Sequence, residues 1–339
     1  MVAEGGRRER RAFIGSFTGA GGPGIVTAAV AEHGGALTVL SGVNGLPDPS
    51  CLALSDDGGT LYVVSETAEG AVAAYRVKGG TVEPTGSPVR VGGSGPTHLS
   101  LFDGHVLTAN YGSGSVSAVP LRADGRLGRA PAAVLRHTGS GPHAHQVQPD
   151  PSGRWAVSVD LGTDSVRVCT LTDGRLAVHR ETALRPGSGP RHLAFHPDGT
   201  HAYVVNELTP TVTVCRWDTA AGSLEPLAET RVLPAAPAGD AYPSGLAVAP
   251  DGRFLWTATR GEDVLSVFAL EADGERPQLV GTVPCGGHWP RALTLSEGFL
   301  YVANERSGDV TWFAVDEETG LPARAGAVGV TAASCVVFG

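Results

Sequence analysis

Three histidines stand at nearly the same place in successive stretches of this 339-residue chain: His98 in PTHLSLF, His145 in PHAHQVQPD and His192 in PRHLAFHPDG. Arg191 and Arg291 come one residue earlier in two such stretches, and His143 lies just ahead of the strand start in a third. After a turn each stretch brings a second set of side chains, Glu66, Tyr111, Leu161, Glu207, Arg260 and Glu305. Imidazoles move protons near neutral pH, guanidinia grip anionic oxygens with a planar fork, and carboxylates accept protons or pair with cations. Together they suit proton-transfer chemistry on an anionic small molecule. Purely structural roles answer to the same residues. The histidines could hydrogen-bond backbone between units, and Arg191 and Arg291 could pair with Glu305 or Glu66. Three histidines are also a possible zinc set. No metal is expected here, because equivalent positions in adjacent units need not approach closely.

The elements that must carry these residues repeat. Six segments share a proline, an alternating apolar run, a turn, a second apolar run and a polar pair. Their prolines are Pro49, Pro96, Pro142, Pro190, Pro243 and Pro290, spaced by 47, 46, 48, 53 and 47 residues. Turn signals such as Asp198-Gly199 and Asp251-Gly252 mark hairpins, and a third run such as TVTVCRW or VLSVFAL comes next. Four strands in a period of roughly 40–50 residues is the signature of a propeller blade. Six units cover about 47–318; AFIGSFTGAGGPGIVTAAVAE and GAVGVTAASCVVFG remain, enough strand for one more blade. The expected fold is all-β: a seven-bladed β-propeller whose ring is closed by N- and C-terminal strands sharing one blade, with strands from 12–30 and 325–338. No segment shows helical periodicity. The expected organisation is a disordered tail over residues 1–10 and one propeller domain over 11–339.

In such a ring the first strand of each blade lines the central channel, and the second runs antiparallel to it. The start of the first and the end of the second therefore share a face. His98, His145, His192, Arg191, Glu207, Arg260 and Glu305 are expected to converge at that mouth. Asn110, Asp160, Asn206 and Asn304, each just before a mouth residue, read as strand-end residues.

Composition narrows the partners. Hydrophobic residues at 42% and charged residues at 17% suit a packed globular protein rather than a disordered one. A net charge of −9 argues against nucleic acid and anionic membrane surfaces. No run approaches the roughly 18 apolar residues of a membrane span. Cys51, Cys169, Cys215, Cys285 and Cys335 are odd in number, scattered and free of any CxxC pair, so buried reduced thiols and a cytoplasmic location are expected. Arg7, Arg8, Arg10 and Arg11 precede AFIG in the manner of an export signal, but the stretch after them is broken by Gly and reads as two strands.

These stretches resemble the lactonase family of seven-bladed propellers, which includes bacterial 6-phosphogluconolactonases and the fungal 3-carboxy-cis,cis-muconate lactonizing enzyme. The similarity runs from AFIGSFT through LTANYGSGSVSAVPL, HAHQVQPDPSG, GSGPRHLAFHPDGTHAYVVNEL and TATRGEDVLSVF to PRALTLSEGFLYVANERSGDVTWF. It implies that His143 or His145, with Glu207, serves catalysis, and that Arg191 and Arg260 bind substrate, alongside His98, His192 and Glu305. Two departures stand out: Thr259 where the family has Asn, and Glu305 where it commonly has Gln. The resemblance implies a hydrolase of a sugar lactone, foremost 6-phospho-D-glucono-1,5-lactone. The alternatives are a muconate-type cycloisomerase, another lactonase, or a non-catalytic interaction propeller. It implies no metal and no cofactor. The expected partner is a small anionic sugar lactone, with no nucleic acid and no membrane, the protein being a monomer or weak homo-oligomer.

Overall fold

The computed structural model describes residues 10–271 and 274–339. Seven antiparallel sheets of four or five strands succeed one another around a ring. Their innermost strands are Pro49–Leu54, Pro96–Phe102, Ala144–Pro149, Pro190–Phe195, Tyr242–Val248, Pro290–Ser296 and Ala333–Phe338, which define blades 1 to 7 in that order. Helix is confined to two 3₁₀ turns, Thr18–Ala20 and Tyr111–Ser113, among the described residues.

Blade 7 closes the ring. The C-terminal strand Ala333–Phe338 is innermost, and it pairs with Arg11–Ser16, which continues to Ile25–Val30 and Leu37–Val43. The C-terminal share of this blade is shorter than the sequence suggests. Residues up to Gly329 belong instead to Pro322–Gly329, the outer strand of blade 6. Of the tail expected over 1–10, residues 1–9 lie outside the described residues. Arg10 is placed, with its guanidinium 4.9 Å from the centre of the Phe338 ring.

The core is divided. Seven apolar clusters each lie between two neighbouring blades, as in the cluster joining Trp155, Val157 and Val166 of blade 3 to Val204, Cys215 and Trp217 of blade 4. A middle strand packs against a neighbour on both faces, so it is apolar without alternation: Phe254–Arg260 is buried along its whole length. Outer strands meet solvent, and Arg175–Ala183 is exposed at most positions. The five cysteines are free, four of them buried in this packing. Burial pushes the Cys51 thiol up to about 11.

Two repeated devices build the mouth. The first pins the end of the second strand. Asn110 donates to Ser115 and Ser117, Asn206 to Thr211 and Thr213, and Asn304 to Asp309 and Thr311. These residues are fully buried strand-end braces. The second device holds the next residue. The backbone N–H groups of Phe17, Glu66, Tyr111, Leu161, Glu207 and Glu305 donate to the carbonyls of Ala332, Asp48, Gly95, His143, Gly189 and Trp289. Each acceptor is the residue just before a first strand. Around the ring, the second-strand ends therefore arrive at one level.

Candidate active site

The first strands reach the mouth through β-bulges. Pro190 pairs with Asn206 and His192 with Val205, which leaves Arg191 as the extra residue. Arg291 is the extra residue of blade 6, His145 of blade 3 and Thr97 of blade 2. A bulge re-aims side chains, and here it turns them toward the second-strand ends. This corrects the expected register. His145 is level with Arg191 and Arg291, and it is Gln146 that is level with His98 and His192, because Pro142 lies two residues ahead of the strand start at Ala144, whereas Pro96, Pro190 and Pro290 open theirs. Gln146 uses that place to accept from the backbone N–H of Leu193, 2.6 Å away.

The charged residues meet in two groups. Glu207 is shared: its Oε2 lies 3.0 Å from Arg191 Nε and 2.8 Å from Arg260 Nη2. Arg191 also donates to the carbonyl of Ser244, and Arg260 Nε to that of Tyr242 at 3.2 Å. In the second group Arg291 bridges Glu66 at 3.1 Å and Glu305 at 3.3 Å, with its guanidinium 4.8 Å from the centre of Phe17. Thr97 donates to Glu66. The expectation that Arg291 pairs with Glu66 or Glu305 is met by both; Arg191 pairs with neither. The mouth is also drier than a solvated rim, for Arg191 is 2% exposed and Arg260 7%. Burial and the neighbouring Arg260 lower Arg191 to about 9. For Arg291 the burial penalty is outweighed by Glu66 and Glu305, which raise it.

The histidines form a row. His98 and His192 meet edge to face at 5.6 Å, His192 and His145 at 5.1 Å, and His145 and Tyr111 at 5.6 Å. His143 stacks flat on Tyr111 at 4.4 Å. Adjacent blades thus bring these rings into contact at one mouth. Among the described residues no group of three His, Cys, Asp or Glu has the geometry to hold a metal ion. Burial and then Arg191 lower His98 to about 4, and the same two causes push His145 and His192 well below the usual imidazole range. These three rings are neutral at pH 7. Nδ1 of His98 and of His145 is buried without a hydrogen-bond partner.

His143 is oriented differently. Its Nδ1 lies 2.9 Å from the carbonyl oxygen of Tyr111. A carbonyl only accepts, so a neutral His143 carries its proton on Nδ1 and leaves Nε2 with a free lone pair. Its backbone N–H donates to Asp160, which also accepts from His137 at 2.5 Å and lies 3.3 Å from Arg167. Asp160 is fully buried, yet the His137 and backbone hydrogen bonds outweigh burial and hold its carboxyl at about 2. The strand-end brace of blade 3 is therefore ionic where those of blades 2, 4 and 6 are amides.

All eight site residues expected from the sequence lie at this mouth or in the ring layer beneath it. Four others were not assigned a role: Phe17, Tyr111, Tyr242 and Trp289. Tyr242 and Trp289 flank Arg260, whose guanidinium lies 6.0 and 5.5 Å from their ring centres. The signal for Trp289 is its place in the repeat. The residue before the first strand takes a positive φ at Ala332, Asp48, Gly95, Gly189 and Trp289. Glycine fits there, whereas a Trp at φ 65° is strained by on the order of 1–3 kcal/mol. A separate cavity of about 680 Å³ opens between blades 5 and 6 at the turn-bearing end of the channel, lined by Leu246, Trp256 and Leu293, and it contains none of these residues.

Comparison with known proteins agrees with this architecture. Residues 11–338 match the family model described as lactonase, 7-bladed beta-propeller. The chain is 33% identical over 340 residues to a 6-phosphogluconolactonase of Bacillus subtilis, covering 96% of this chain and 97% of that one. The solved structure of a Pseudomonas aeruginosa periplasmic gluconolactonase superposes with a TM-score of 0.90 at 29% identity, over 97% of this chain and 98% of that chain. A putative 6-phosphogluconolactonase from Bacteroides uniformis gives 0.90 at 26% identity, over 98% and 100%.

Proposed function

Since this chain belongs to the lactonase family of seven-bladed β-propellers, we propose that it hydrolyses a sugar lactone, with 6-phospho-D-glucono-1,5-lactone as its substrate and 6-phosphogluconate as its product. One observation carries the reading. A carboxylate shared by two buried guanidinia lies at the mouth that also holds a continuous row of neutral imidazoles.

Hydrolysis needs a water activated at the carbonyl carbon, stabilisation of the oxyanion that forms, and a proton for the departing ring oxygen. His143 supplies the base: Nε2 takes the proton of the attacking water while Nδ1 stays anchored on the Tyr111 carbonyl. His145, with an unpartnered Nδ1, is the second candidate for this step. Arg191 and Arg260 keep donors that are not engaged by Glu207, Ser244 or Tyr242, and these face the developing oxyanion. Glu207 holds both guanidinia in register and limits their mutual repulsion. His98 and His192, both neutral, offer hydrogen bonds to hydroxyls. The protonated base then returns its proton to the ring oxygen as the C–O bond breaks, so no net proton is lost to the enzyme.

No helix among the described residues is long and apolar enough to cross a membrane. A cytoplasmic location belongs to the same proposal, supported by five unpaired thiols.

The test is hydrolysis of 6-phosphoglucono-1,5-lactone by purified protein, with the spontaneous rate subtracted and with glucono-1,5-lactone and a carboxy-muconate run in parallel. Turnover of the phosphorylated lactone, lost in His143→Gln, supports the proposal. Background rate with that lactone and turnover of one of the others would replace the substrate.

A further inference from the structure

We propose that Arg306 and Trp289 form the subsite that recognises the phosphate-bearing end of the substrate, separate from the buried arginines that serve the lactone. The proposal rests on the lactonase reading above and adds to it the residues that select a phosphorylated sugar.

The charge balance of the mouth leads here. Its three inner arginines, the buried Arg191 and Arg260 and the half-buried Arg291, are matched by three carboxylates, Glu207, Glu66 and Glu305, every one within ion-pair distance. That floor carries no net charge to attract a phosphate dianion. Arg306 differs from all three. It is exposed, and it makes no ion pair among the described residues. It follows Glu305 directly, its backbone N–H donates to the carbonyl of His288, and its guanidinium lies 3.3 Å from the centre of the Trp289 ring. Trp289 in turn lies 5.5 Å from Arg260 and stands 6.1 Å from the ring of Tyr242. The indole is thus in contact with two guanidinia: a neutralised one at the reaction centre and an uncompensated one at the rim. A six-carbon sugar lactone with its carbonyl toward Arg260 passes along the edge of this ring and brings its C6 substituent toward Arg306.

The backbone points the same way independently. In blade 4 the turn before the first strand is held by Asp164, which accepts from the N–H groups of Gly187 and Gly189. In blade 6 Asp263 holds the same turn, accepting from the N–H of Trp289 and from the His288 ring. The architecture is the same, and glycine satisfies it in blade 4 at φ 62°. Blade 6 keeps the left-handed conformation at φ 65° and carries an indole on it. Asp48 and Ala332 also take a positive φ at this register, but neither carries a ring; a half-buried Trp held there beside Arg260 is accounted for by a ligand that uses the indole. Arg306, stacked on this ring and free of an ion pair among the described residues, is suited to phosphate through its fork of donors.

The experiment compares kcat/KM for 6-phosphoglucono-1,5-lactone and glucono-1,5-lactone in the wild type, Arg306→Ala, Arg306→Lys and Trp289→Gly, with melting temperatures alongside. Arg306→Ala is expected to lose about ten- to a hundredfold on the phosphorylated lactone through KM and less than about twofold on the other. Arg306→Lys recovers part of the loss. Trp289→Gly is expected to lower kcat/KM for both lactones while holding or raising the melting temperature, since glycine relieves the left-handed strain. Equal losses on both lactones in Arg306→Ala, or no loss on the phosphorylated one, would overturn the subsite. Trp289→Gly with full activity and a lower melting temperature would show the indole to be packing alone. If the wild type turns over neither lactone, the lactonase reading fails on its own, and calorimetric titration with 6-phosphogluconate and gluconate decides the subsite. Preference for the phosphorylated acid, abolished in Arg306→Ala, supports it; equal affinity for the two acids refutes it.

Discussion

Glu207→Gln is the substitution that separates a buried charge cluster from a solvated rim. The amide keeps the shape of the side chain and removes the charge that Arg191 and Arg260 share. Both arginines are at most 7% exposed, so neither recovers full hydration when its counter-charge is lost. Breaking a buried pair from one side costs about 3–5 kcal/mol. Unfolding entropy scales at about 2.1 cal/mol/K per residue, or about 0.7 kcal/mol/K for a chain of this length, so the melting temperature falls by about 4–7 °C. Neutral Gln also leaves two like charges facing each other, so the guanidinia separate and the oxyanion donors move. The expected kinetic result is a loss in kcat of about a hundredfold, consistent with removal of preorganised donors. The assay is differential scanning calorimetry at two ionic strengths, paired with initial rates per folded molecule. A drop of less than about 1 °C, or one abolished by about 0.5 M salt, would refute the reasoning, since screening acts on solvated pairs far more than on buried ones.

Three further outcomes rest on the same geometry. His143→Gln should reduce kcat by about a hundredfold or more with KM little changed, because the lost group acts on the attacking water; an unchanged kcat transfers the role to His145. Acid should destabilise the protein: His98 titrates near 4 when folded and near 6.5 when unfolded, so the unfolded state binds more protons between these values and stability falls as pH drops through that window, by about 3 kcal/mol for this residue alone. His98→Gln should flatten the slope of melting temperature against pH between 6.5 and 4, and an unaltered slope would place the effect elsewhere. Deleting residues 333–339 removes the innermost strand of blade 7 and leaves the edge of Arg11–Ser16 unpaired, so size-exclusion chromatography should show aggregation rather than the wild-type peak.

Much of this protein is set by local rules that a single chain displays. Turn residues, period-two runs and prolines at intervals near 47 residues specify one blade six times over, and the leftover ends can complete a seventh only by pairing with each other. Antiparallel pairing then obliges His98, His192, Arg191, Glu207 and Arg260 to face one mouth, whatever their roles. The arrangement of charge within that mouth depends on separations across the ring that no spacing encodes. Arg191 pairs with Glu207 of its own blade, while Arg291 reaches Glu66, 225 positions away, because the ring places blade 6 and blade 1 on either side of the closing blade. The place of His145 turned on where blade 3 begins its first strand: Ala144, not Pro142, pairs with the strand-end Asp160, and only the pairing reveals it. Trp289 before Pro290 looks ordinary as a dipeptide; only the left-handed backbone that it shares with Asp48, Gly95, Gly189 and Ala332 makes its bulky ring stand out. Sequence determines the repeat because each blade's strands and turns are dictated by neighbours in the chain. The tertiary structure decides the site because its charges, rings and strained residue act across the channel, where distance and burial set which groups are neutral, which are paired and which are left to meet a substrate.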